Sequence, residues 1–184
     1  GFARPVFQAQ AAFRAVLDAM SRPGRIHRLA EPATAPAGLS PAAASVLAAL
    51  ADGDTPVYLG CSGAAAQAFV TRALGAPRVA LGEAAFAVVT AADLLPLDRF
   101  APGSESYPDR SATVIVEVTA LGRGTTYRLR GPGVQGTAEL AVEGLPAGFG
   151  AAWMVQRAGF PTGVDLVICC GDRLAALPRT VAVE

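Results

Sequence analysis

The sequence predicts an α/β fold: one three-layer domain, with helices covering both faces of a mixed sheet of about seven strands. Three observations lead there. Apolar residues recur with a helical period near the start, in the middle and again past residue 146, so helices come before, between and after the strands. Runs of β-branched residues bounded by glycine, proline and aspartate read as strands, with hairpin turns in the second half. The segment Val164–Cys170 is apolar on both faces apart from Asp165, the pattern of a central strand covered on both sides.

Element by element, Phe13, Val16, Leu17 and Met20 follow the i, i+3, i+4, i+7 spacing of an amphipathic helix, and Pro23-Gly24 stops it. A second helix opens at Ser40-Pro41, a hydroxyl at the N-cap and proline at the first helical position. It buries Ala43, Val46, Leu47 and Leu50 and ends before Gly53. A short strand, Val57–Leu59, precedes a third helix capped by Ser62, with Ala66, Phe69, Val70 and Ala73 on one face and Gly75 at its end. Ala85–Thr90 and Thr113–Thr119 read as strands. Gly122-Arg123-Gly124 turns into Thr125–Arg130, and Thr137–Val142 follows as a further strand. Pro146 starts a fourth helix with Phe149, Ala152 and Trp153 in register. Gly171-Asp172 then turns Val164–Cys170 into a last strand, Leu174–Leu177.

Composition narrows the function classes. At 184 residues the chain suits one core, and 52% hydrophobic against 16% charged residues sets it apart from disordered chains. The uncharged stretches Ala33–Ala51 and Thr55–Thr71 are broken by proline and glycine, which argues against membrane spans, and no secretory leader is expected. Fifteen basic residues balance fifteen acidic ones, so little phosphate neutralisation is on offer and nucleic acid is not an expected partner. All fifteen are arginine; without lysine there is neither a Schiff base to pyridoxal phosphate nor a Walker-type lysine. Cys61, Cys169 and Cys170 form no disulfide framework or metal-ligand spacing and read as core residues of a reducing, cytoplasmic compartment. His27, the single histidine, excludes a histidine-rich zinc site, and no metal is expected.

Four features carry candidate chemistry. Gly131-Pro132-Gly133-Val134-Gln135-Gly136 matches G-x-G-x-x-G, but a dinucleotide site needs a helix after it, and Thr137-Ala138-Glu139-Leu140 reads as strand. Arg128 and Arg130 share a strand face; they can clamp a phosphate or carboxylate, or Arg128 can pair across the hairpin with Glu139. Arg22, Arg25, His27 and Arg28 cluster past the first helix, where cations favour the macrodipole but can equally form an anion site or a docking surface. Asp165 begins an apolar strand and requires a structural partner, with Arg179 or Arg157 as candidates. No Ser/His/Asp order, G-x-S-x-G elbow or helix-face carboxylate pair is present, and no catalytic residue is assigned.

Several segments taken together carry a resemblance. Phe13-Arg14-Ala15-Val16-Leu17-Asp18-Ala19-Met20-Ser21-Arg22-Pro23-Gly24, Asp52-Gly53-Asp54-Thr55-Pro56-Val57, Leu129-Arg130-Gly131-Pro132-Gly133-Val134, Phe160-Pro161-Thr162-Gly163-Val164-Asp165-Leu166, Cys170-Gly171-Asp172-Arg173-Leu174 and Leu177-Pro178-Arg179-Thr180 run in order along nearly the whole chain. They resemble the PhnH family, subunits of the bacterial carbon–phosphorus lyase system for phosphonate use. Ala73–Gly103 matches only in general character.

The resemblance implies a fold like the large domain of PLP-dependent transferases but without PLP or any other cofactor, and a homodimer. It implies a cytoplasmic assembly with the PhnG, PhnI and PhnJ subunits. With an ATPase-like L subunit, that system displaces adenine from ATP by a phosphonate, giving a ribose 1-phosphonate 5-triphosphate whose carbon–phosphorus bond PhnJ later cleaves. The expected role is that of an accessory, non-catalytic subunit of this transferase. The alternative is direct binding or catalysis on ATP or a phosphonate through Arg22, Arg25, Arg128 or Arg130.

Overall fold

In the computed structural model, which describes residues 3–60 and 63–184, four α-helices, nine strands and several short helical turns alternate. Helix α1 (Pro5–Ser21) leads through β1 (His27–Arg28) to α2 (Pro41–Leu50) and β2 (Val57–Leu59). Helix α3 (Ala64–Ala68) then runs into a π-helical turn, Phe69–Ala73. Next come β3 (Phe86–Thr90), β4 (Thr113–Glu117), the hairpin β5 (Ala120–Arg130) and β6 (Ala138–Glu143), and α4 (Phe149–Ala158). The chain closes with β7 (Asp165–Cys170), β8 (Arg173–Leu177) and β9 (Ala182–Val183).

The strands form two sheets. The larger is mixed, in the order β1-β8-β7-β4-β3-β2, with β2, β3, β4 and β7 mutually parallel, β8 antiparallel to β7, and β1 antiparallel to β8. The smaller, β6-β5-β9, is antiparallel. The expected single sheet of about seven strands is thus corrected to a six-stranded and a three-stranded sheet. The physical reason lies in β5: Leu121 and Leu129 are buried while Arg128 and Arg130 face out. A strand polar on one face cannot sit in the middle of a sheet covered on both sides.

Alternation along the central strands divides the core. Leu59, Val88, Ile115, Val167 and Cys169 point to one face, against α1, α2 and α3. Val89, Val114, Val116, Leu166 and Ile168 point to the other, where they meet the small sheet, Phe149 and Trp153 of α4, and Leu94, Leu97 and Phe100 from the β3–β4 connection. Helices therefore make up one outer layer, while the second combines one helix with a sheet. Each fully buried branched or aromatic side chain here is worth about 1.5–3 kcal/mol, so these two interfaces dominate the stabilisation.

Helix α1 is rotated from the face its large residues predict. Gln8, Ala12, Val16 and Ala19 are buried, whereas Phe13 is 43% and Leu17 51% exposed. The neighbour explains it: α2 presents the fully buried Ala42, Ala43 and Ala44, and small residues on both helices let their backbones approach closely. The Ser40 hydroxyl caps α2 by accepting from the Ala43 amide at 3.1 Å, as its position before Pro41 predicts. The expected Ser62 cap of α3 lies outside the described residues. Ala73 is exposed, because the π-helical turn swings it off the buried face. Helix α4 starts at Phe149 rather than Pro146, after Gly148 at φ +80°.

The expected turn at Gly122-Arg123-Gly124 is instead a bulge inside the continuous strand β5, between Leu121 and Thr125. Gly124 has φ +95°, and a Cβ there would lie 2.7 Å from the Glu143 Cα and the Val142 carbonyl oxygen. Gly124→Ala is expected to destabilise the protein by about 1–3 kcal/mol, measured as a lower urea midpoint with an unchanged slope.

Candidate functional site

Asp165 is the first residue of β7, and Arg179 follows the end of β8. The hairpin between these strands brings them together. Asp165 Oδ1 accepts from the Arg179 amide at 2.7 Å and from its Nε at 3.2 Å, and Oδ2 accepts from Nη2 at 2.6 Å. Arg179 Nη1 donates to the carbonyls of Pro108 (2.9 Å) and Pro161 (3.3 Å), and Nη2 also donates to the Ser111 hydroxyl. All five guanidinium donors are thereby used. With side chains only 13% and 22% exposed, this pair is a structural tie with no donor left for a ligand. Arg157, the other candidate partner, instead donates from Nε to the Thr180 carbonyl at 3.3 Å.

The glycine-rich segment 131–136 ends in β6, not a helix, which removes the dinucleotide reading. Its glycines serve packing. At Gly133 (φ +79°) any Cβ would collide with the Ser21 carbonyl at the end of α1 and crowd the Pro23 ring. Gly131 lies over Thr180 and Val181. The hairpin loop is thus wedged between the last turn of α1 and the chain that carries Arg179.

The candidate cation cluster is largely paired. Arg22 meets Asp18 at 2.8 Å one helical turn back, and Arg28 meets Asp172 at 2.6 Å. His27 Nε2 lies 3.2 Å from the same Asp18 carboxylate, off the line of a hydrogen bond. Arg25 has no ion-pair partner among the described residues. Arg128 stands opposite Glu139, the register the hairpin predicts, and Arg130 opposite Ala182. No ion pair closes between Arg128 and Glu139 among the described residues. The backbone of 21–24 packs on the hairpin, and the five main hollows among the described residues are lined by other side chains than Arg22, Arg25, Arg128 and Arg130.

Sequence reasoning missed Glu117, the last residue of β4. Its Oε1 accepts from the Ser40 amide at 2.7 Å, fastening the start of α2 to the carboxyl end of the central sheet. Burial pushes its carboxyl above the ordinary range, against the lowering effect of the Ser40 bond. A small cavity of about 20 Å³ lies beside it, lined also by Gly38, Gly60 and Thr90. A carboxylate closing a β-branched strand was the available signal. Cys169 is fully buried, and burial together with the Glu117 charge raises its thiol well above normal, the opposite of an activated nucleophile. Cys170 donates to the Thr119 carbonyl at 3.2 Å. Cys61 lies outside the described residues, and no metal-ligating cluster occurs among those described.

Such a molecule is an α/β protein whose most elaborate polar centre holds segments together. The sequence profile described as "Bacterial phosphonate metabolism protein (PhnH)" matches residues 1–184, and the chain belongs to that family. It is 40% identical over 193 residues to the alpha-D-ribose 1-methylphosphonate 5-triphosphate synthase subunit PhnH of Rhizobium meliloti (strain 1021), covering 100% of this chain and 94% of that protein. It is 34% identical over 179 residues to the putative C-P lyase subunit protein HtxG of Stutzerimonas stutzeri, covering 95% of this chain and 85% of that protein.

Two outcomes follow. Arg179→Met, which strands the Asp165 charge, is expected to cost about 3–5 kcal/mol, against about 1 kcal/mol for Ser111→Ala, both read by urea unfolding. Because burial raises the Glu117 carboxyl in the folded state, its contribution is most favourable at pH below its unfolded value and is lost as pH rises through the folded one. Glu117→Gln, which keeps an acceptor for Ser40, should therefore gain in melting temperature relative to the parent between pH 4 and pH 7.

Proposed function

We propose that this chain is an accessory, non-catalytic subunit of a ribose 1-phosphonate 5-triphosphate synthase in phosphonate catabolism. The observation that carries this is its 40% identity, across its whole length, to a protein named as a subunit of that synthase. The similarity to a putative C-P lyase subunit supports the same system. In this reading one PhnH-like domain works in the cytoplasm as a homodimer, in a core complex with PhnG, PhnI and PhnJ. It supports the displacement of adenine from ATP by a phosphonate without itself supplying a catalytic group. Likeness to PLP-dependent transferases belongs to the same proposal; a chain without lysine cannot hold PLP through a Schiff base.

The surface of α1 suits assembly. Val6 (78% exposed), Phe7 (70%), Phe13 and Leu17 stand out from a helix whose opposite side is packed on α2. Large apolar side chains grouped on one exposed helix are costly to leave in water and mark contact surfaces. Among the described residues no helix is long and apolar enough to cross a membrane.

A second reading, direct ligand binding through Arg22, Arg25, Arg128 or Arg130, is favoured only by the guanidinium groups of Arg25, Arg128 and Arg130, which lack ion-pair partners among the described residues.

A tagged copy should co-purify with PhnG, PhnI and PhnJ; a stable monomer that recruits none of them overturns the proposal. Phe13→Asp combined with Leu17→Asp should leave the melting temperature nearly unchanged, since exposed substitutions usually cost under about 0.5 kcal/mol, while reducing partner capture.

A further inference from the structure

The cavities differ in whether their polar groups are already spent. Against α1, a hollow of about 250 Å³ includes Gln8, whose amide bonds both the Arg4 amide and the Glu31 carbonyl. Between α4 and the loop around Pro96 and Pro102 lies an apolar groove of about 370 Å³. There Gln156 is held twice by Val164: its Nε2 donates to the carbonyl at 3.1 Å, and its Oε1 accepts from the amide at 2.9 Å. Phe160, 58% exposed, separates two more depressions. The one of about 350 Å³ faces Arg179, whose five donors are all used within the chain.

The other depression is chemically open. It measures about 290 Å³ and is lined by Pro132, Arg157, Phe160 and Thr180. Arg157 is half-buried and anchored through Nε on the Thr180 carbonyl. Its two terminal nitrogens have no partner among the described residues, and neither does the Thr180 hydroxyl. No carboxylate lines the pocket. An arginine fixed at Nε presents its two terminal N–H groups as a fork suited to two oxygens of one anion. Beside that fork stand an exposed aromatic ring and a proline ring, a surface on which a flat ring can stack.

We infer that this pocket binds a small molecule carrying an oxyanion on a flat ring. The Arg157 fork and the Thr180 hydroxyl take the oxyanion, and Phe160 with Pro132 takes the ring. A phosphate monoester, an unesterified phosphonate and a carboxylate share this chemistry, and a dianion is the better match for fork and hydroxyl together. The site is separate from Arg22, Arg25, Arg128 and Arg130 and does not depend on the subunit assignment, because binding is read on the full chain by itself.

Calorimetric titration of the full chain with phenyl phosphate, benzoate, inorganic phosphate and benzyl alcohol tests it. Saturable binding of phenyl phosphate is expected, tighter than that of inorganic phosphate, with benzoate weaker and benzyl alcohol weakest. Arg157→Gln should weaken phenyl phosphate by roughly ten- to a hundredfold, the range for losing charge-assisted hydrogen bonds. Phe160→Ala, at an exposed position, should fold normally and bring phenyl phosphate down to the level of inorganic phosphate. Benzoate outranking phenyl phosphate would overturn the dianion preference. Absence of saturable heat with the parent chain, or equal phenyl phosphate affinity in the parent and Phe160→Ala, would overturn the site, as would equal affinity in a folded Arg157→Gln.

Discussion

The carboxylate of Asp165 is placed where the central strand β7 enters the core, and it meets one guanidinium that also gathers two loop carbonyls and a hydroxyl. Three stretches distant in sequence are fixed by that single side chain: the 108–111 turn, the run from Pro161 into the start of β7, and the chain beyond β8. An ion pair this shielded earns its stability from complete satisfaction of its donors. The position of Thr180 follows from that of Arg179. From Thr180 and Val181 follow the seat of Gly131, the hold on Arg157 and the anchor of Trp153, whose indole donates to the Val181 carbonyl at 2.8 Å.

Several segments that carry the family resemblance come together at this point. Pro23-Gly24, the 129–134 hairpin loop and the 177–180 stretch are far apart in the chain, yet their backbones touch. The glycines at 131 and 133 are required by close approach to backbone on two sides. What looks like a nucleotide fingerprint is therefore a packing joint between three strands of chain.

Much of the architecture was legible in residue patterns. Helix α2, the strands around Val57, Val88 and Ile115, and the doubly buried β7 follow directly from periodicity and β-branching. The register that sets Arg128 opposite Glu139 follows from the sequence once Arg130 is set against Thr137, and the hairpin adopts it. The split into two sheets was present in the alternation of β5, but it becomes visible only when a polar face is asked which layer can hold it. The rotation of α1 was not readable from α1 by itself, since the alanines that draw its small face inward belong to α2. Of the polar sites, the Asp165 partner narrowed to two arginines, and only three-dimensional packing separates the saturated Arg179 from the open Arg157. Glu117 escaped notice because its partner is a backbone amide, which leaves no mark in side-chain patterns.

The indole bond to Val181 has a practical corollary. Trp153 is the only tryptophan in the chain, and it sits fully buried in the layer on the opposite side of the large sheet from α1 to α3. Its emission is therefore a local probe of one layer, whereas far-ultraviolet dichroism is weighted towards the helices of the other. Disagreement between the two signals during unfolding would reveal the layers separating, without any label being introduced.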